Sequence, residues 1–176
     1  MNNIECEVRC LISEEEYETL LGQFKDVAVF EGTDEQITYY FDSKEDLRIQ
    51  KNENFAKVWL KKGALHDDHR EEIEIKVPKE DFEKLEQLFL SLGYNISIKW
   101  FRTRNSFKWG DIDVALDHTK GYGHILELEK LTNEEEKESA VHYLKSKLTQ
   151  LGLKQTPKET FDQKYQYYKD HWREIM

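Results

Sequence analysis

Two carboxylate pairs carry the first chemical signal in this chain. Glu5 and Glu7 stand in IECEVRCL (4–11), and Glu127 and Glu129 in HILELE (124–129). An E-x-E pair on an extended backbone sends both carboxylates to one side, because alternate residues of a strand share a face. Oxygen donors gathered this way suit a hard divalent cation, Mg²⁺ or Mn²⁺. Cations recur in the same alternation: Arg9 follows the first pair, Lys57 and Lys61 stand in AKVWLKK, Lys76 in EEIEIKV, and Arg102 and Arg104 in WFRTR. This set suits a polyanion with several phosphoryl groups. Carboxylates repel such a guest unless a cation lies between, so a metal–triphosphate complex meets both needs.

Positioning these groups requires strands with two unlike faces. In the opening stretch Ile4, Cys6, Val8 and Cys10 alternate with the charges, and the split recurs in AKVWLKK, EEIEIKV, DIDVALD (111–117) and HILELE. Strands are expected at 4–12, about 26–31, 35–42, 45–50, 55–62, 70–77, 96–108, 111–117 and 123–130. Four amphipathic helices need apolar surface to cover. The first is SEEEYETLLGQF, with Ser13 and Glu16 in capping-box spacing; the second runs from Pro78 to Gly93. The third follows Thr132, with Glu135 completing another capping box, and the fourth spans about 158–173. The oily strand faces are the only large surface available to them. The charged face then either meets water, with cross-strand Glu–Lys pairs, or turns inward around a shared hollow. Charges so dense are too costly to bury for stability alone. A charged guest with metal ions would complete their neutralisation.

Composition narrows the classes. Aromatic residues (9 Phe, 9 Tyr, 4 Trp) compensate for an apolar share of 38%. A net charge of −10 argues against nonspecific nucleic-acid binding and against an anionic membrane surface. Cys6 and Cys10 on one strand lie about 13 Å apart, too far for a disulfide, which fits free thiols in a cytoplasmic protein. With no apolar span and no linker, residues 1–176 are expected to form a single domain.

Taken together, the motifs resemble those of the CYTH proteins, or triphosphate tunnel metalloenzymes: thiamine triphosphatases, inorganic triphosphatases and class IV adenylate cyclases. E-C-E-V-R (5–9) is similar to the family's E-x-E-x-K, with Arg9 at the Lys position. Y-F-D-S (40–43) with Asp46-Leu47 resembles Y-[FY]-D-T…L, and R-N-S-F (104–107) resembles the family's Arg before an aromatic. In F-A-K-V-W-L-K (55–61), Lys57 with Trp59, or Lys61, replaces an Arg-x-Arg pair. E-I-K (74–76) matches the strand with an active-site Lys, and L-D-H-T-K-G-Y-G-H-I-L-E-L-E (116–129) matches L-D-x-v-x-g-l-G-x-f-x-E-x-E. The resemblance implies an α+β fold: an eight-stranded antiparallel closed β-barrel, a tunnel, with helices packed outside. It implies Mg²⁺ or Mn²⁺ on Glu5, Glu7, Asp117, Glu127 and Glu129, and triphosphate on Arg9, Lys57, Lys61, Lys76, Arg102 and Arg104. Tyr40 and Lys76 match a Tyr–Lys pair proposed to activate water.

The implied activity is metal-dependent hydrolysis of inorganic triphosphate or a small organic triphosphate. The alternatives are cyclisation of ATP with loss of pyrophosphate, and binding without turnover. Outside this constellation, His66 and His69 in GALHDDHREE read better as a solvated loop than as a metal site. Tyr165, Tyr167, Tyr168 and Trp172 suit packing of the last helix or a homodimer contact.

Overall fold

Alternation of apolar and polar residues builds eight strands in the computed structural model, which describes residues 4–62 and 71–175. They are β1 (Ile4–Ile12), β2 (Val29–Phe41), β3 (Asp46–Lys51), β4 (Phe55–Lys62), β5 (Glu71–Pro78), β6 (Ile96–Trp109), β7 (Ile112–Thr119) and β8 (Gly123–Thr132). The helices are α1 (Glu14–Val27), α2 (Phe82–Ser91), α3 (Lys137–Gln150) and α4 (Lys158–Ile175). His66 and His69 lie outside the described residues. None of the described helices is long and apolar enough to cross a membrane.

The strands form one antiparallel sheet in the order β1-β8-β7-β6-β2-β3-β4-β5. The expected closed barrel is not formed: among the described residues no ladder joins β1 to β5, and the sheet is a curled, open trough. The outer edge of β1 is engaged elsewhere. Thr156 N–H donates to the Arg9 carbonyl at 3.1 Å, and Leu11 N–H donates to Thr156 Oγ1 at 2.9 Å. The chain between α3 and α4 thus takes up backbone groups that a closing strand would need.

The convex face is the core. Cys6, Val8, Cys10, Val114, Leu116, Leu126 and Leu128 pack against Tyr17, Leu20 and Phe24 of α1 and Ala140, Leu144 and Leu148 of α3. Full burial of one such leucine stabilises by about 1.5–3 kcal/mol. Both cysteines are buried and not joined in a disulfide, and burial pushes the Cys10 thiol up to about 12. Phe82, Leu85 and Phe89 of α2 cover Phe41, Leu47, Ile49 and Ala56. α4 stands apart. Its Phe161, Tyr168 and Trp172 meet Tyr40, Ile98, Trp100 and Ile125, which share parity with the charged residues. It therefore closes one end of the concave face, anchored by Tyr168 Oη to the Lys99 carbonyl (3.1 Å) and Trp172 Nε1 to the Ser97 carbonyl (2.9 Å). Of the four C-terminal aromatics only Tyr167 stays mostly in solvent.

Of the two capping boxes expected from the sequence, the fold forms one. The α1 capping box forms: Glu16 N–H donates to Ser13 Oγ, and Ser13 N–H to Glu16 Oε2. The second does not. Thr132 still belongs to β8, and Asn133 Oδ1 accepts the N–H groups of Glu135 and Glu136, so α3 starts only at Lys137. The strands expected at 26–31 and 35–42 are one. A register shift between Phe30 and Gly32, with Gly32 at φ 140°, absorbs the irregularity without ending the ladder.

Gly121, in the β7–β8 turn, has φ +73°, and a Cβ there would lie 2.9 Å from the backbone oxygen of Ile175. Gly121→Ala is expected to cost about 1–3 kcal/mol, through left-handed strain and displacement of the end of α4. Urea unfolding measures this; an unchanged midpoint would mean that α4 is not seated on this turn.

Candidate functional site

Curling brings the charged parities of the strands around one cavity of about 330 Å³. β1 supplies Glu5, Glu7 and Arg9, β8 Glu127 and Glu129, β6 Arg102 and Arg104, and β4 Lys57 and Lys61. The charged faces therefore share a hollow rather than spreading over the exterior. Tyr40 joins them at the end closed by α4, beside Trp100, Tyr122, Phe161 and Tyr165.

Two expected residues stand elsewhere. Asp117 is fully buried beneath the arginines, outside the cavity lining. Its Oδ2 accepts from Arg102 Nη1 (3.0 Å) and Arg104 Nη2 (2.6 Å), and its Oδ1 from Arg104 Nε (2.8 Å). Cross-strand register explains this, since Arg104 lies directly opposite Asp117 and folds over it. Lys76 lies on the edge strand β5 with its side chain 62% exposed, 3.7 Å from Glu74 and over the Phe55 ring. It does not line the cavity, and the expected pairing with Tyr40 is not assembled.

Further residues join the site beyond those expected from the motifs. Gln36 Oε1 accepts from Arg102 Nε at 2.9 Å, fixing that guanidinium from a second side. Glu74 and Glu72 hold Lys57 (2.7 Å) and Lys61 (3.0 Å) across the β4–β5 ladder. Arg48 and Gln50 face the cavity from β3. Their signal was alternation with Leu47 and Ile49 in DLRIQK.

Charge is unevenly distributed. In the β1–β8–β7 register Arg9 faces Glu127, whereas Glu7 faces Glu129, which in turn faces Asp113. Like charges directly opposite repel. Burial, then the charge of Glu127, raises Glu7 to about 7, although Arg9 and Lys61 pull the other way. Burial, then Glu5 and Glu7, raises Glu129 to about 8. Burial also disfavours ionised Glu127, but Arg104, Arg102 and Arg9 outweigh it and hold that carboxyl near 2. Glu7 Oε1 lies 2.8 Å from Arg9 Nε, but the approach is out of line, and the atom is buried without a hydrogen bond among the described residues.

Among the described residues, no three His, Cys, Asp or Glu side chains already stand grouped as a cation site. The donor set nevertheless fits one. Glu5, Glu7 and Glu129 supply hard oxygens short of positive charge, and the orphaned Glu7 oxygen needs a partner. Glu127 is committed to Arg104.

Comparison with known proteins agrees with the architecture. Residues 3–161 match the sequence profile of the CYTH domain. The chain is 35% identical over 112 residues to MJ0240 of Methanocaldococcus jannaschii, named as a candidate adenylate cyclase; the match covers 61% of this chain and 60% of that relative's length. PH1012 of Pyrococcus horikoshii superposes with a TM-score of 0.72 at 25% identity, covering 85% of this chain and 91% of that one. HpAC1 of Hippeastrum, described as a candidate adenylyl cyclase with a dominant triphosphatase activity, superposes at 0.66 with 18% identity, covering 92% and 94%.

The raised carboxyls give a stability signature. Between the ordinary carboxylate value and about 7 (Glu7) or 8 (Glu129), the folded chain keeps protons that the unfolded chain has released. Metal-free protein should therefore lose thermal stability as pH rises from 5 to 8.5. Mg²⁺ should restore more of it at pH 8.5 than at 5.5, and Glu7→Gln with Glu129→Gln should flatten the profile. Melting curves that ignore both pH and Mg²⁺ would contradict the assignment.

Proposed function

Because the chain belongs to the CYTH domain family, we propose that it is a metal-dependent triphosphatase acting on inorganic triphosphate or a small organic triphosphate. One observation carries this reading: clamped arginines and electron-rich carboxylates short of counter-charge line the same cavity. The cations of the cavity answer the phosphate chain, and the carboxylates answer its metal.

Arg102 and Arg104 act as a fixed cradle. Asp117 and Gln36 hold their forks before any ligand arrives, so little order is lost on binding phosphoryl oxygens. Arg9 extends the cradle along β1. Lys57 and Lys61 must leave Glu74 and Glu72 to reach phosphate, an exchange of one anion for another. Glu5, Glu7 and Glu129 would hold Mg²⁺ or Mn²⁺, which neutralises charge developing on the transferring phosphoryl group. Tyr40, which lines the aromatic end of the cavity, would orient the attacking water.

A second reading, cyclisation of ATP, draws on the likeness to MJ0240 and on the aromatic end of the cavity, whose rings offer a stacking surface for a base. Incubation with Mg²⁺ or Mn²⁺ and tripolyphosphate, ATP or thiamine triphosphate separates the readings by product. Orthophosphate supports hydrolysis, cyclic AMP the cyclase, and binding without turnover overturns both. Glu129→Gln is expected to lower metal-dependent turnover by about 100-fold or more, equivalent to several kcal/mol of transition-state stabilisation. Activity within a factor of two of the parent would refute the site.

A further inference from the structure

The side-chain amide of Gln36 is engaged at both ends. Its Oε1 accepts from Arg102 Nε (2.9 Å) and Nη2 (2.5 Å), and from Gln50 Nε2 at 3.2 Å. Its Nε2 donates to Asp34 Oδ2 at 2.7 Å. The same carboxylate oxygen accepts from Asn52 Nδ2 at 2.9 Å, and Asn52 Oδ1 accepts the N–H groups of Asn54 and Phe55 in the β3–β4 turn. Asp34 stands two residues before Gln36 on the same face of β2, yet it does not line the cavity. Its direct cross-strand neighbour in β6 is Arg104, but that guanidinium folds away to Asp117 and Glu127. Among the described residues, Asp34 therefore turns its charge to two neutral amides rather than to a cation.

An amide turned end for end keeps its shape and exchanges its donor for its acceptor. Turned, Gln36 would set its NH₂ against the donor edge of Arg102, and the guanidinium would lose its second anchor. A carboxylate has no hydrogen to give, so beside Asp34 only the NH₂ end is favourable. The charge thus selects the orientation that serves Arg102. The fork is then held at Nε and Nη2 by Gln36 and at Nη1 by Asp117, and the hydrogens remaining on Nη1 and Nη2 are available to phosphoryl oxygens. We propose that Asp34 is a positioning residue for phosphate binding: it fixes the amide of Gln36 and, through it, the guanidinium of Arg102. The inference rests on the triphosphate reading and adds to it a residue that itself touches no substrate.

The test measures binding, by calorimetric titration of the full chain with tripolyphosphate in Mg²⁺. Asp34→Ala and Gln36→Ala should each weaken binding by about tenfold. The two residues act in series, so the double variant should match Gln36→Ala alone rather than multiply the two losses. Asp34→Asn is nearly isosteric and should weaken binding by less, since its amide still offers one oxygen to Gln36. Asn52→Ala loosens the turn but leaves the Asp34–Gln36 bond, and should bind like the parent. In ligand-free protein, the Arg102 Nε–H resonance, identified by its loss in Arg102→Lys, should shift in both Asp34 variants and hold its position in Asn52→Ala. Parent-like affinity and an unmoved resonance in Asp34→Ala, or in Asp34→Asn should the alanine variant fold poorly, overturn the role of Asp34 alone. A loss in Asn52→Ala as large as in Asp34→Ala does the same, because it makes Asp34 a fastener of the turn. Failure of the parent protein to bind tripolyphosphate overturns the triphosphate reading and this inference with it.

Discussion

The constraint on which this molecule depends is that one sheet must serve two incompatible surroundings. Cys6, Val8 and Cys10 cannot turn toward water without losing the helices that cover them, and Glu5, Glu7 and Arg9 cannot turn the other way without entering that core. With a side-chain period of two, a slip of one residue would exchange the faces. Register is therefore pinned by hydrophobic burial, and the pinned register sets charge against charge within the trough. Arg9 opposite Glu127 and Glu7 opposite Glu129 are consequences of where Val8 and Leu128 must sit.

The trough is not electrically uniform. Asp117 supplies a buried negative charge to two arginines, and Glu127 adds a third contact to the same group, so the β6 side is settled without a ligand. The row through Glu7 and Glu129 has Arg9 at 2.8 Å from Glu7, which does not offset burial and the neighbouring carboxylates, and it holds its protons at pH values where a surface carboxylate has lost them. Conserving this imbalance costs stability in the ligand-free state. It also gives the site a chemical preference, since a divalent cation relieves it best where the phosphate chain brings further oxygens.

How much was legible follows from the range of each determinant. The parities of Glu5, Glu7, Arg9, Lys57, Lys61, Arg102, Arg104, Glu127 and Glu129 are local, so each strand alone puts them on its polar face; that these faces share one hollow followed from their recurrence over several strands and from the motif resemblance. Asp117 has the same parity, but its depth depends on a neighbour in β6 folding over it. Lys76 fails for a long-range reason: it lies on an edge strand left outside when the sheet does not close, and the facing edge of β1 is taken up by Thr156, eighty residues along the chain from it. Arg48 and Gln50 were readable from DLRIQK, but the strand is six residues long between turns, where alternation gives few repeats to count. The open seam and the inward seat of α4 had no local signature.

An incomplete barrel carries a risk that a complete one abolishes: bare rims recruit strands from other molecules. This fold blunts its two rims differently. The segment around Thr156, part of the same chain, straps the first rim by hydrogen bonds, so no foreign strand finds its Arg9 carbonyl and Leu11 N–H vacant. The second rim alternates Glu72, Glu74 and Lys76 with Ile73 and Ile75, and an incoming copy would have to set its own ionic groups against these. Solubility at high concentration is thereby guarded by a strap on one side and by electrostatic mismatch on the other.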